Sequence, residues 1–203
     1  MSLRIVDHLE TNNLLTNVQY AYRTGRGTDL ATTKFVNDIL NNFDDNKYTL
    51  SVFLDLSKAF DCVDHHILAA KLKYFGISNI AHKWFLDYLK NRSHYVKYNE
   101  HTSNTKTVNI GVPQGSVLGP ILFLIYINDI INAGHAGELS LFADDANYYE
   151  SSRDYYDLIN SVNVNLVHIT NWFRANRLSV NIIKSEAMLF TRKMSASLFR
   201  LCC

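Results

Sequence analysis

The stretch Tyr48-Thr49-Leu50-Ser51-Val52-Phe53-Leu54-Asp55-Leu56 is β-branched and aromatic, and the turn formers Asp44, Asp45 and Asn46 precede it. Such a run reads as a buried strand. It carries one charge, Asp55, close to its end. An unpaired carboxylate is costly to bury, so Asp55 must reach solvent at the strand end or meet a cation.

A sheet partner for this strand stands further along. Leu139 to Ala143 reads as a strand, Asp144-Asp145 as a tight turn, and Ala146 to Glu150 as the return strand. If this hairpin lies beside the first strand, Asp55 and Asp144 converge on one spot. Converging carboxylates form a hard oxygen site suited to Mg²⁺ or Mn²⁺. Two such ions can activate an attacking oxygen and neutralise a leaving group in phosphoryl transfer. An Asp pair is also an ordinary turn former and an Asp at a strand end an ordinary cap. On these residues alone both readings stand, while Asp61 and Asp64 read as a turn residue and a helix cap.

The remaining elements fill in a mixed fold. Thr28 is placed to cap a helix to about Phe43, with Leu30, Phe35, Val36, Ile39 and Leu40 as its apolar stripe. Asp64 caps a helix ending near Gly76, and Ser78 opens another through Trp84, Phe85 and Leu89. Tyr95 to Asn109 reads as two short strands around a polar loop at His101 to Asn104. Leu158, Val162, Leu166, Ile169, Trp172 and Phe173 recur at helical spacing within Asp154 to Ala175, and Ala187 to Thr191 is a last strand. Helices alternating with hairpin-forming strands predict an α+β fold, an antiparallel sheet with helices packed on one face.

Gly111-Val112-Pro113-Gln114-Gly115-Ser116 is a turn-rich loop, and Ser116 is placed to cap the apolar helix that follows, with Pro120 in its first turn. The glycines allow a close backbone approach to a ligand, and free N–H groups at a helix start favour phosphate. The loop lacks the lysine and spacing of a Walker motif. Val117 to Ile127, the longest apolar stretch, is too short to cross a bilayer. The net charge of +1 advertises no polyanion partner globally, so a nucleic-acid surface has to be local. Lys83, Lys90, Arg92, Lys97, Arg174 and Arg177 are candidates for one, with solvated helix faces as the plainer reading. Cys62, Cys202 and Cys203 match neither a zinc site nor a disulfide framework, which fits a reducing compartment.

In order along the chain, five segments resemble the reverse transcriptases of non-LTR retrotransposons of the LINE and jockey type. Phe53-Leu54-Asp55-Leu56-Ser57-Lys58-Ala59-Phe60-Asp61 resembles the first palm motif of that family. Gly111-Val112-Pro113-Gln114-Gly115-Ser116-Val117-Leu118-Gly119-Pro120 resembles the second, Phe142-Ala143-Asp144-Asp145 the third, and Leu178-Ser179-Val180-Asn181-Ile182-Ile183-Lys184 the fourth. Gln19-Tyr20-Ala21-Tyr22-Arg23 resembles a fingers motif. The resemblance implies a polymerase palm and an RNA-directed DNA polymerase that joins deoxynucleoside triphosphates (dNTPs) to a DNA primer on an RNA template. It implies that Asp55 and Asp144 bind two Mg²⁺ or Mn²⁺ ions, with the Leu56 carbonyl and Asp145 assisting. Phe60 would lie under the incoming sugar and exclude a 2′-hydroxyl. Gln114 and Gly115 would meet the nucleotide or templating base, Arg23 the triphosphate or template, and Lys184 the pyrophosphate.

The family usually carries Gly-Phe where Ala21-Tyr22 stand, and Thr where Ala146 stands. The expected organisation is a reverse transcriptase domain over residues 1–193, with partial fingers at 1–46 and palm at 47–193, then a tail at 194–203. On that reading the chain is a fragment that starts inside the fingers and ends before a thumb, located in nucleus or cytoplasm, of open oligomeric state. Two alternatives stand beside it. One is a non-catalytic mobile-element remnant that binds RNA or has no activity. The other is a nucleotidyl cyclase built on a similar sheet, against which the Gly-Val-Pro-Gln-Gly segment and Phe60 argue.

Overall fold

The structure is a computed structural model and describes residues 2–90 and 92–192. The expected tail at 194–203, with Cys202 and Cys203, lies outside the described residues. In chain order the elements are α1 (Ser2–Thr11), α2 (Thr28–Asp44), β1 (Tyr48–Leu54), α3 (His65–Tyr74) and α4 (Asn79–Leu89), then the short strands β2 (Arg92–His94), β3 (Lys97–Tyr98), β4 (His101–Thr102) and β5 (Lys106–Val108). They continue with α5 (Gly119–Ile127), β6 (Glu138–Phe142), β7 (Asp145–Ser152), α6 (Tyr155–Ala175) and β8 (Glu186–Phe190).

The central sheet has the order β6-β7-β1-β8, and its neighbouring strands are antiparallel. Side chains alternate across it. Leu50, Val52 and Leu54 of β1, Leu139 and Leu141 of β6, and Ala146 and Tyr148 of β7 are buried on the face that meets α6. That helix presents Leu158, Val162, Leu166, Ile169 and Phe173, and Asp154 caps it by accepting from the Asp157 N–H. Helix α3 packs on α5 and reaches α6 through Lys71, whose Nζ lies 4.7 Å from the Trp172 ring centroid. The α+β architecture is thus as the sequence predicts, with α3, α5 and α6 gathered on one side.

Helix α2, in the stretch read as fingers, lies against the other face. Phe35 meets Phe53, Tyr149 and Phe190 edge-on at centroid distances of 6.1, 5.0 and 5.7 Å. Of the stripe expected on this helix, Ile39 is buried and Leu30, Val36 and Leu40 are exposed, because the helix touches the sheet along a narrower line than its apolar residues span.

Other boundaries shift for identifiable reasons. The sequence reading did not anticipate α1, whose buried contacts come from Ile5 and Leu9. The ribbon after α4 pairs β2 with β5 and β3 with β4, so its tip falls at Asn99-Glu100, where Asn99 adopts φ +52°, and not at the polar stretch 101–104. Helix α5 starts at Gly119, yet the Ser116 hydroxyl accepts the Gly119 N–H at 3.0 Å, so the expected capping hydroxyl acts three residues ahead.

Candidate active site

The ladder between β1 and β7 places Leu54 opposite Ala146. One step further, Asp55 leaves β1 where Asp145 enters β7, so the two carboxylate-bearing positions face each other at the open end of the sheet. The hairpin register sets Phe142 opposite Asp145. The tight turn is therefore Ala143-Asp144, one residue earlier than the sequence reading placed it, and Asp145 belongs to the return strand. Ala143 holds φ +58°, a left-handed conformation at a hairpin position where glycine is usual.

Backbone contacts hold Asp55 from the side opposite β7. Its carbonyl accepts the Asn181 N–H at 2.7 Å, and Ser57 N–H donates to Ser179 O at 2.9 Å. Leu56 bridges Val180 between these bonds, so the alternation of the ladder turns the Leu56 carbonyl away from that segment. The Asp55 N–H donates to Ser185 Oγ at 3.2 Å. The segment read as the fourth motif therefore braces the first. Asp55, Asp145 and Lys184 line one depression of about 330 Å³ together with Phe53, Phe142 and Asn147.

Burial, followed by the nearby charges of Asp144 and Asp55, pushes the Asp145 carboxyl above its ordinary range. Three acids thus share one electrostatic neighbourhood. Among the described residues no group of three or more His, Cys, Asp and Glu side chains is placed so as to hold a metal ion, so a cation here would rest on fewer carboxylates. The donor set is open and made of oxygens. Mg²⁺ characteristically takes one or two carboxylates and completes its shell with water and substrate phosphate, so these residues suit it.

The glycine-rich loop is tied to the first motif at several points. Val112 N–H donates to Phe60 O at 2.9 Å, and Gly111 N–H to Val63 O at 2.7 Å. Gly111 sits at φ +85°, and a Cβ there would come within 2.8 Å of the Asp61 carbonyl oxygen. Gln114 Nε2 donates to Asp61 Oδ1 at 2.9 Å. Gly115 has φ +74° with open space on its Cβ side, so here glycine answers to the backbone angle alone. Phe60 stacks on Phe123 of α5 with centroids 4.5 Å apart.

Asp64 and Arg23 are each engaged by other parts of the chain. Asp64 is the cap predicted for it, accepting from the His66 and Ile67 N–H groups at 2.9 and 3.0 Å and pairing with Arg177 at 2.6 Å. Arg23, expected at the triphosphate or template, is engaged within the protein. Its side chain is 6% exposed, and the guanidinium forks onto Glu10 at 2.8 and 2.7 Å and donates to Thr16 O at 2.5 Å. It ties the turn after Tyr20 to α1. Of the basic candidates for a nucleic-acid track, Lys83, Lys90, Arg92, Lys97 and Arg174 are exposed, while Arg177 is engaged with Asp64.

Sequence reasoning gave no role to Gln19 or Ser185 and did not single out the Gly111 contact. Gln19 Oε1 accepts the N–H groups of Ala21 at 2.9 Å and Ala143 at 3.1 Å. Its place inside the fingers-like motif was the available signal.

Comparisons with known proteins agree on one family. The family model described as "Reverse transcriptase (RNA-dependent DNA polymerase)" matches residues 1–197. The chain is 31% identical over 203 residues to the probable RNA-directed DNA polymerase from transposon X-element of Drosophila melanogaster, covering 95% of this chain and 22% of that protein. It is 30% identical to the corresponding protein from transposon BS of the same organism, covering 94% and 22%. The chain thus spans about a fifth of the length of these relatives. Among solved structures, apo telomerase from Candida tropicalis superposes with a TM-score of 0.69 over 97% of this chain and 36% of that one, at 12% identity, a likeness of fold.

Proposed function

The chain belongs to the reverse transcriptase (RNA-dependent DNA polymerase) family, and from that premise we propose that it carries the centre at which a dNTP is joined to a primer 3′-hydroxyl opposite an RNA template. The observation that carries this reading is the meeting of Asp55, Asp144 and Asp145 at one end of the sheet, where burial and then the charges of the other two hold the Asp145 carboxyl above its ordinary range. Residues 1–46 would then belong to the fingers and 47–193 to the palm.

Asp55 and Asp144 would hold two divalent cations, Mg²⁺ or Mn²⁺, with Asp145 and the Leu56 carbonyl as further donors. Bound there, the cations would lower the pKa of the attacking hydroxyl and offset charge on the triphosphate. The chain's own residues prepare the rest. The stack on Phe123 fixes the Phe60 ring, and a fixed aromatic wall under the sugar would exclude a 2′-hydroxyl by bulk. Gln114, held to Asp61, is exposed beside Gly115 and would meet the nucleotide or templating base. Lys184, which lines the same depression as Asp55 and Asp145, would hold a proton for the leaving pyrophosphate.

The test is primer extension on an RNA template with dNTPs and Mg²⁺ or Mn²⁺, run beside Asp55→Asn and Asp144→Asn. Extension by the unmutated chain that is lost in both variants supports the reading. A folded, soluble chain that extends nothing would sink it and favour the non-catalytic alternative.

A further inference from the structure

The segment Val18 to Tyr20 lies along the outer edge of β6. Tyr20 N–H donates to Leu141 O at 2.9 Å, Leu141 N–H donates to Val18 O at 2.8 Å, and Gln19 stands opposite Leu141 as a parallel bridge. Gln19 is 1% exposed. Its Oε1 accepts one N–H from its own segment, Ala21, and one from Ala143 across the fold. Its Nε2 is buried without a partner among the described residues.

This placement is specific. Ala143 immediately precedes Asp144 and sits at φ +58°, where an L residue with a Cβ rarely settles unless its surroundings hold it. The Gln19 carbonyl oxygen is such a hold. An amide also suits the position electrically. A glutamate would accept the same two N–H groups but add a fourth negative charge beside Asp55, Asp144 and Asp145. Glutamine accepts both and stays neutral, at the expense of a buried N–H₂ left unpaired.

We propose that Gln19 is a positioning residue that latches the Ala143-Asp144 turn, so that the fingers-like segment sets the aim of the Asp144 carboxylate. This rests on reading the three aspartates as a divalent-cation site.

The test uses the full chain as wild type, Q19M, A143G and Q19M/A143G. Methionine keeps the length of the side chain and removes the acceptor, and glycine accepts the left-handed turn without help. Three readouts are taken: amide hydrogen exchange at Ala143 in metal-free protein, Mn²⁺ affinity, and primer extension. Q19M is expected to exchange faster at Ala143 and to lose about 10- to 100-fold in Mn²⁺ affinity and extension, the usual effect of removing a group that orients a ligand. Glycine at 143 is expected to restore most of both losses. Unchanged exchange at Ala143 in Q19M, unchanged Mn²⁺ affinity, or a loss that A143G does not rescue each overturns the proposal. If Q19M fails to fold, recovery of folding and Mn²⁺ affinity in the double variant supports it and failure of that variant overturns it. A wild-type chain that binds no Mn²⁺ overturns the cation-site reading and this proposal with it. Wild-type binding matched by Q19M overturns the proposal alone.

Discussion

Helix α5 buries every side chain from Ile121 to Ile127, while at the open end of the neighbouring sheet Asp55 and Asp145 face each other with Asp144 beside them. The helix obeys the ordinary preferences of its residues, and burying a Leu, Ile or Phe side chain contributes about 1.5–3 kcal/mol. The sheet end departs from those preferences. Of the eight non-glycine residues with positive φ among the described residues, four are asparagines, which tolerate it. The other four are Tyr22, Lys58, Ala143 and Arg177. Each lies in, or immediately before, one of the segments that resemble the polymerase motifs. Like charge collects at the sheet end and left-handed backbone in the motif-like segments, and the apolar interior supplies the stability that tolerates them. The two regions touch where Phe60 stacks on Phe123.

The sharpest way to break this contrast is to remove charge at the sheet end. Asp55→Asn or Asp144→Asn is expected to lower primer extension by about 10³-fold, the upper end of what one electrostatic group contributes at a reacting centre. Thermal unfolding of the metal-free variants is expected to hold at or above the parent midpoint, since a repulsion is relieved. A midpoint several degrees lower would mean that these carboxylates support the fold, and the contrast would fail.

The converse change is made in the helix. Leu122 is fully buried, and Leu122→Ala is expected to cost about 2–5 kcal/mol. For a chain of this size each kcal/mol moves Tm by about 2–4 °C, so calorimetry should show a clear fall. Extension per folded molecule, measured well below the lowered Tm, is expected to stay within about twofold of the parent, because a cavity within the helix layer leaves the carboxylates in place. A selective loss of extension would show that the two regions are mechanically one.

The legibility of the sequence follows the same division. Strand β1 and helices α3 and α6 were readable because local periodicity and local caps, Asp64 and Asp154, determine them. Helix α1 was not, since Ile5 and Leu9 stand among charged and polar residues and make too short a stripe to register. The hairpin turn was misplaced by one residue because Asp-Asp is a better turn former than Ala-Asp in isolation. Pairing of Phe142 with Asp145 overrides that preference. The carboxylates of the candidate site were legible as residue types in order. The parts that brace them were not, since the Gln19 contact to Ala143 joins residues 124 apart in sequence and the Asp55 contact to Ser185 joins residues 130 apart. The Arg23 contact was equally illegible: a guanidinium suits phosphate and carboxylate alike, and nothing local marks Glu10 as its partner.

A smaller effect is expected where the regions are joined through the glycine-rich loop. Gly111→Ala would set a Cβ 2.8 Å from the Asp61 carbonyl oxygen, at a backbone angle of φ +85°. The expected penalty is about 1–3 kcal/mol. Movement of the loop would also shift Gln114 from Asp61, so the KM for dNTP is expected to rise more than kcat falls. A change in stability with KM untouched would detach the loop from nucleotide binding.

The smallest expected effect lies at Asp64, whose N–H donates to the Tyr126 hydroxyl of α5 at 3.2 Å while its carboxylate caps α3 and meets Arg177. Burial raises the Asp64 pKa, but the N–H groups of Ile67 and His66 and the charge of Arg177 outweigh it and hold the carboxyl below its ordinary range. A depressed carboxylate contributes stability that is fully present above its unfolded pKa and is lost as pH falls through the folded one. Asp64→Ala is therefore expected to cost about 1–2 kcal/mol at neutral pH, chiefly the lost helix cap. The gap between parent and variant should narrow in denaturant titrations below about pH 4. Arg177 is largely exposed and can return to water, so no buried charge is stranded. Asp64→Asn, which keeps a capping oxygen, should lose less than Asp64→Ala and show little of the acid dependence. Equal losses in both, unchanged by pH, would place the role of Asp64 in packing against α5, on the apolar side of the contrast.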